Sequence, residues 1–583
     1  MPPTPSGQGF SLLWPSHVTT DQDAAGPRLG PGAAADLDLS TLARALCPAP
    51  RYADDVQRVL LQLCPDPDVI AFRQAILQDL LDHPDLTTRL DDLLPQIAAA
   101  DRATYWPSPG QTPLHEVVWR VGQLEAYVEC VQGLSAAFGA AGGVVQSEGL
   151  RRLRNEIARL ERDPTFQALV AELPDLIAQV RSISSVTIGV NLDDQLRPVE
   201  ATLVSINRER YRGASSSLLG MLFGRETTDR KLEGIARLHS IARNTGQGQA
   251  IGVDLSNPMM YPLFRDLSDV LKQVSRPVAS ALQRYTSINI QFLSTLRRDL
   301  AFYLGAVRLV RRIQSSGLPM CRPEIAPPDA RVTVVEAAYN INLALRLLAR
   351  GEPDLSQQVV TNDIAFDPQA RIFVLTGPNQ GGKTTFTQAI GLLHVLAQAG
   401  LYVPGTRARI SPVDGIYTHF PVEERPESEA GRLGEESKRL SEVFARATPY
   451  SLVLLNESLA STSAGESLYL AWDIVRILRL MGTRAIYATH LHELAARVDE
   501  LNAETPGDSR VCSLVSLVDA SASGNGSGGD LRQTYRIVTG PPRGRSYARE
   551  IAARYGISYA QLVETLRQRG IVGDVSDPAD EQS

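Results

Sequence analysis

The sequence predicts a multidomain chain. A mainly helical region with a small β-containing insertion comes first, followed by an α/β domain of the P-loop kind. Through about residue 320 apolar positions recur three and four apart, the period of helices. After Pro323–Pro328, strand-like runs alternate with helical stretches, a pattern that predicts a largely parallel sheet covered by helices. Directly after one of those runs, Gly377 through Thr384 read GPNQGGKT and fit GxxxxGK(S/T).

The bulk numbers narrow the class. A chain of 583 residues has room for about two to four domains with real cores. Its net charge of -7 excludes a global basic field, although a local patch can still bind a polyanion. Five cysteines (Cys47, Cys64, Cys130, Cys321, Cys512) form no CxxC pair, which argues against a disulfide framework or a zinc site. No apolar run reaches the roughly 18 residues of a membrane span, and MPPTPSGQGFSLLWPSH lacks a signal-peptide pattern. A cytoplasmic protein with no membrane partner is expected.

Along the chain, residues 1–38 are rich in Pro, Gly and Ser and read as a poorly ordered tail. Helical pattern starts at Leu39 and continues to residue 322, with Asp66 or Asp68 placed to cap a helix. The run SSVTIGVNLDDQLRPVEATLVSINRE alternates about a polar turn and predicts a short antiparallel element. It opens an insertion at about 186–247. From Phe264 to about Arg312 the helical pattern is nearly unbroken, with Pro277 marking a kink or break. Leu282, Tyr285, Ile288, Phe292, Leu296, Leu300, Tyr303, Val307 and Val310 fall near one face. About 35 such residues span roughly 50 Å, which suits a projecting arm; the alternative is a helical bundle with nothing projecting. In the domain at 323–583, RVTVV, RIFVLTG, YSLVLLN and RAIYATH read as strands. The Gly-rich stretch 521–530 joins two further ones, VCSLVSLVDA and LRQTYRIV.

The glycine loop assigns the chemistry. Gly377, Gly381 and Gly382 permit a tight turn whose N–H groups, with the following helix N-terminus, suit β- and γ-phosphates. Lys383 brings a point charge to the same oxygens, and Thr384 a hydroxyl for Mg²⁺. Thr385 completes the run, while Pro378 and Asn379 shape it. ATP and Mg²⁺ are therefore the expected ligands. The strand LVLLNES supplies the next part. Asn456 stands where a metal-holding carboxylate is usual and offers only a carbonyl acceptor. Glu457 can orient or activate the attacking water. This predicts a weakened metal position and retained, slow hydrolysis, against binding without useful hydrolysis. His490 follows RAIYAT and can sense the γ-phosphate, or serve structure alone. Asn362 is expected near the adenine.

These pieces resemble the MutS-type DNA mismatch-repair ATPases, of the ABC-type class. GPNQGGKTT is similar to the family's GPNxxGKST, and Ala488-Thr489-His490 matches its histidine loop. YRIVTGPPRGRSYAREIAARYGIS, with Ser546, Tyr547 and Ala548, resembles its C-terminal YKI…G…SYAxxIA segment. PDPDVIAFRQAILQDLLDHPDL resembles the start of its helical core. The likeness is strong over roughly 340–570 and weaker over 39–320. It implies His490 as the phosphate-sensing residue, a helical core and lever at 39–322, a reduced clamp in the insertion, and an ATPase domain with a C-terminal dimerisation segment. A homodimer on double-stranded or branched DNA, repair partner proteins, and association with the nucleoid in a bacterium are further implications. In the insertion Arg208, Arg210, Arg212, Arg225, Arg230 and Lys231 form a basic cluster that can meet phosphates without reading bases. Glu209, Glu226 and Asp229 dilute it, and a solvated loop is the competing reading.

The departures are informative. The family writes DExGRGTST where this chain has NESLASTSA, including Ser461, Thr462 and Ser463 of the interface loop. Where the family has STF, whose serine reaches the partner's γ-phosphate, Gly431-Arg432-Leu433 stand here, so Gly431 offers only an N–H. No room is seen before the helical core for the mismatch-reading domain with its aromatic-x-Glu wedge. The resemblance thus implies a divergent short member whose ATP binding and slow hydrolysis drive dimer closure and DNA clamping in repair or recombination. The alternative is a nucleotide-gated structural or interaction protein.

Overall fold

The computed structural model describes residues 10–16, 28–47, 49–102, 113–140, 145–181, 185–195, 198–207, 209, 212–213, 233–234, 278, 281–282, 284–285, 291–421, 431–459, 463–520, 531–542, 556–569 and 571. The chain is multidomain, mostly helical with mixed sheets. It divides into two compact units. The first comprises Met1–Thr87, Val145–Arg151 and Arg298–Ser583; the second comprises Thr88–Val144 and Arg152–Arg297.

The first unit is built on a seven-stranded sheet. In chain order its strands are β1 (Arg28–Leu29), β2 (Ala370–Thr376), β3 (Gly415–His419), β4 (Leu452–Asn456), β5 (Arg484–Ala488), β6 (Arg510–Ala520) and β7 (Leu531–Thr539). The spatial order is β1-β3-β4-β5-β2-β6-β7, parallel throughout except for the antiparallel β6–β7 pair. Every residue of β4 and β5 is buried, as continuous apolar runs in a two-side-covered parallel sheet should be. Val453, Leu455, Ala485 and Tyr487 share a core with Val475 and Leu478 of the helix Ala464–Met481. A smaller mixed sheet joins Glu324–Ile325, Arg407–Ile410, Thr333–Ala338 and Asn362–Phe366.

The N-terminal stretch contributes more than its Pro and Gly content suggests. Leu12 and Leu37 are fully buried. Ser11 Oγ and the Leu12 N–H donate to Asp299 Oδ2 at 2.9 and 2.6 Å, and Tyr303 Oη donates to the Leu12 carbonyl at 2.9 Å. Arg73 donates to the Leu13 carbonyl and lies over the Trp14 ring. Arg28–Leu29 add β1 to the edge of the main sheet. Asp66 caps the helix Pro67–Asp82 by accepting from the Asp68 N–H, as its position ahead of Pro67 predicts.

The helix Gln291–Ser315 has 25 residues, about 37 Å at 1.5 Å each, shorter than the 50 Å arm expected. Arg284 and Tyr285 lie in a turn before it. Residues 299–307 are buried on every side. Apolar residues surround this stretch (Leu300, Ala301, Phe302, Leu304, Ala306), and a helix apolar all round is an interior helix. The second unit holds the helices Pro113–Ala140 and Pro164–Arg181, joined by an edge-to-face contact of Tyr127 with Phe166. It also holds the antiparallel pair Ser185–Leu192 and Pro198–Asn207, in the alternating run. Among the described residues no helix is long and apolar enough to cross a membrane.

Candidate functional site

Parallel strands bring their C-terminal ends to one edge, where open α/β sheets bind ligands. Here β4, β5 and β2 are neighbours. Beyond β2 runs the glycine loop, Asn456 ends β4 with Glu457 just beyond it, and beyond β5 stands His490. Segments far apart in sequence thus meet because the sheet order interleaves them.

The loop requires its glycines. Gly377 has φ 151° and Gly382 φ 85°, values that side chains rarely adopt. A Cβ on Gly377 would lie 2.7 Å from Ser516 Cβ, and one on Gly381 2.9 Å from Ser516 Oγ. Gly382 then opens the helix Lys383–Gln398 without a side-chain cap, so first-turn N–H groups remain available to an anion. Ser516 Oγ donates to the Gly381 carbonyl at 2.6 Å, and Gln533 Nε2 to the Asn379 carbonyl at 3.1 Å. Sequence reasoning missed both supports: a lone Ser in β6 and a lone Gln in β7 carry no motif.

Lys383 is buried, and its Nζ donates to the carbonyls of Gly377 and Pro378 at 3.0 and 3.1 Å. It also lies 3.6 Å from Glu457 Oε1. Burial pushes the ammonium pKa down, and the Glu457 carboxylate opposes that shift. His490 Nε2 donates to the same Oε1 at 2.8 Å. On the other side of the loop Thr384 Oγ1 donates to Asn456 Oδ1 at 3.2 Å. A hydroxyl and an amide oxygen this close are a donor set that a hard cation can share, without formal charge. Glu457 itself has φ 52° and Leu459 φ 63°. Such left-handed conformations cost roughly 1–3 kcal/mol for non-glycine residues and persist where the surroundings impose them.

Beside the loop lies a cavity of about 460 Å³ lined by Tyr339, Leu343, Val359, Asn362, Tyr535 and the 379–385 backbone, among others. Asn362 is at this wall, but both ends of its amide are engaged: Nδ2 donates to the Tyr535 carbonyl at 3.1 Å, and Oδ1 accepts from the Ile537 N–H at 2.7 Å. It therefore shapes the wall by fixing β7. Asn340, unmarked in the sequence, caps the helix Ile341–Ala349 and donates to the Thr385 carbonyl at 2.9 Å.

Other expected residues stand elsewhere. Gly431 opens the helix Gly431–Phe444. Ser463 caps Ala464–Met481 by accepting from the Glu466 N–H. Arg208, Arg210, Arg225, Arg230 and Lys231 lie outside the described residues, as do Ser461, Thr462, Ser546, Tyr547 and Ala548; Arg212 is described only in its backbone, in the short strand Arg212–Gly213.

Known proteins share these segments. The family model "MutS2 N-terminal domain" matches residues 65–316, and "MutS domain V" matches residues 373–552. A DNA mismatch repair protein MutS of Chlorobium phaeovibrioides is 30% identical over 249 residues, 42% of this chain and 26% of the relative. One of Chlorobium limicola is 33% identical over 218 residues, 37% of this chain and 23% of the relative. One of Lactobacillus johnsonii is 26% identical over 383 residues, 62% of this chain and 42% of the relative. The matched stretch thus covers less than half of each of these relatives.

Proposed function

The chain belongs to the MutS family, and from that premise we propose that it is an ATP-dependent DNA-binding protein of mismatch-repair type. In this reading residues 323–583 form an ABC-type ATPase domain and 39–322 a helical core and lever, with a reduced clamp at about 186–247. The single observation that carries the reading is Glu457, held by His490 at 2.8 Å and Lys383 at 3.6 Å beside an uncapped glycine loop.

The loop N–H groups and Lys383 bind the β- and γ-phosphates; to do so, Lys383 exchanges the carbonyls of Gly377 and Pro378 for phosphate oxygens. Thr384 and Asn456 would hold Mg²⁺, whose charge would offset that of the phosphates. Glu457 orients a water and accepts its proton as the water oxygen adds to the γ-phosphorus. The bond from that phosphorus to the bridging oxygen breaks, giving ADP and phosphate. His490 keeps the carboxylate in place and senses the γ-phosphate. With a neutral amide at position 456 the turnover is slow.

Two chains meet through their nucleotide domains, ATP closes the pair, and helices of the core convey closure to a clamp on double-stranded or branched DNA. Arg208, Arg210, Arg212, Arg225, Arg230 and Lys231 are the proposed phosphate contacts. The test is ATP turnover alone and with mismatched, branched and plain duplexes, with binding measured across salt concentrations. DNA-stimulated turnover and salt-dependent binding are expected. If no DNA changes turnover and none binds at low salt, the DNA role fails, leaving a nucleotide-gated interaction protein.

A further inference from the structure

The turn that carries Glu457 is fastened on both sides. Ser458, the next residue, is buried. Its hydroxyl lies 2.7 Å from Nδ1 of His419, the last residue of β3. Its carbonyl accepts from Tyr487 Oη of β5 at 3.0 Å. The Leu459 carbonyl accepts from Ser467 Oγ at 2.7 Å, and the Glu457 N–H donates to the Ala488 carbonyl at 2.8 Å. Since β4 lies between β3 and β5, the left-handed turn is stapled to both neighbouring strands. Three of these four ties are packing and backbone closure of an ordinary kind. The fourth is different: His419 is an imidazole, 1% exposed, spent on one serine hydroxyl. Its Nε2 has no hydrogen-bond partner among the described residues. Burial first, and then Arg439, hold its pKa down at about 4, so the ring is neutral near pH 7. The side chain within hydrogen-bond reach of the ring belongs to the residue after Glu457, and the backbone of Glu436 also faces the imidazole.

We propose that His419 and Ser458 form a positioning pair that sets the Glu457 carboxylate against His490 and Lys383. The inference rests on the reading of Glu457 as the group that orients water. Neither member of the pair touches the reacting atoms. Their effect passes through the turn: the imidazole fixes the Ser458 hydroxyl, the fixed serine holds the left-handed backbone at Glu457, and the carboxylate keeps its aim.

The test compares Ser458→Ala, His419→Ala, their double variant and His419→Asn, which keeps a polar atom where Nδ1 stands. Steady-state kinetics give kcat and KM for ATP, a fluorescent ATP analogue gives Kd, and thermal unfolding gives Tm. Each alanine variant is expected to lose about 10- to 100-fold in kcat, the scale of a slightly misplaced catalytic group, with Kd and KM within about threefold. The double variant should be no slower than the worse single one, and His419→Asn should recover most of the rate. Unchanged kcat in both singles overturns the pair. So do rate losses that add in the double variant, follow Tm and are not rescued by Asn. Glu457→Gln in the same assay separates the layers. If it turns over ATP like the unmodified chain, or the unmodified chain turns over none, the parent reading fails and takes this inference with it. If it is inactive while Ser458→Ala and His419→Ala hydrolyse normally, the pair alone is rejected. Should His419→Ala not fold, Ser458→Ala and His419→Asn decide the matter.

Discussion

The two sides of the glycine loop differ in charge. On one side Lys383, Glu457 and His490 interlock through charged contacts. On the other, Thr384 and Asn456 share a single neutral hydrogen bond. Charge-assisted hydrogen bonds are roughly twice as strong as neutral ones. Under the proposed function the acid side would move a proton, while the proposed metal side offers oxygens without charge. In the proposed reading, adjacent positions on one strand end carry separable duties, so one can be neutralised without dismantling the other.

The largest expected effect breaks the acid side alone. Glu457→Gln keeps the shape and removes the proton acceptor. Turnover should fall by about 10²- to 10⁴-fold, while the Kd for ATP changes little. Single-turnover kinetics with a binding titration checks this; full activity in the variant would remove Glu457 from catalysis. Next comes Lys383→Ala, which deletes a charged donor from the phosphates. A lost charge-assisted bond of about 1.5–3 kcal/mol corresponds to roughly 10- to 100-fold weaker ATP binding. Calorimetric titration would read it, and an unchanged Kd would mean that the ammonium stays on the loop carbonyls when nucleotide binds.

Much of this site was legible because its members lie in short, contiguous runs with known geometry. Gly377 to Thr384, Asn456-Glu457 and His490 each follow an apolar strand, and the sheet brings those strands together. What was illegible acts across the fold. Ser516, Gln533 and Asn340 support the loop from elements with no motif of their own, and His419 reaches Ser458 across a strand boundary. Asn362, expected near the adenine, lines the cavity beside the loop, and its amide serves the β7 backbone. Two signals were present and under-read. Leu12, Trp14 and Leu37 are large apolar residues inside a Pro- and Gly-rich stretch, and such anchors outweigh the turn formers around them. LAFYLGAV, residues 300–307, is apolar on every face, which marks an interior helix where one stripe alone would suggest an arm. The basic cluster of the insertion depends on side-chain placement, which spacing does not supply.

A smaller effect sharpens the metal side. Asn456→Asp restores a carboxylate beside Thr384. Mg²⁺ should then half-saturate turnover at a concentration lower by about 10-fold, in line with the gain from a charged acceptor. The same variant without metal should be less stable, because position 456 is buried and a second carboxylate would stand next to Glu457. Thermal unfolding with and without Mg²⁺ and ATP checks the reversal. Equal Tm losses in both conditions would mean that position 456 does not meet the cation.

The smallest effect asks what lies beneath each side. Thr384 and Asn456 carry no titrating group, whereas Ser458, next to Glu457, lies against His419. Its pKa falls from 6.5 to about 4 on folding, so between those values the unfolded chain binds a proton that the folded chain refuses. Stability from this group is therefore full above pH 6.5 and is lost as pH falls toward 4, amounting to about 1 kcal/mol by pH 5.5. Buried His394 shifts in the same direction, so His419→Asn should reduce the acid sensitivity without abolishing it. Urea midpoints at pH 7.5 and 5.5 measure the difference. An equal loss in both proteins would mean that His419 takes up its proton in the folded chain as readily as in the unfolded one. The brace under Glu457 would then become a charged contact below pH 6.5 and stay neutral only above it.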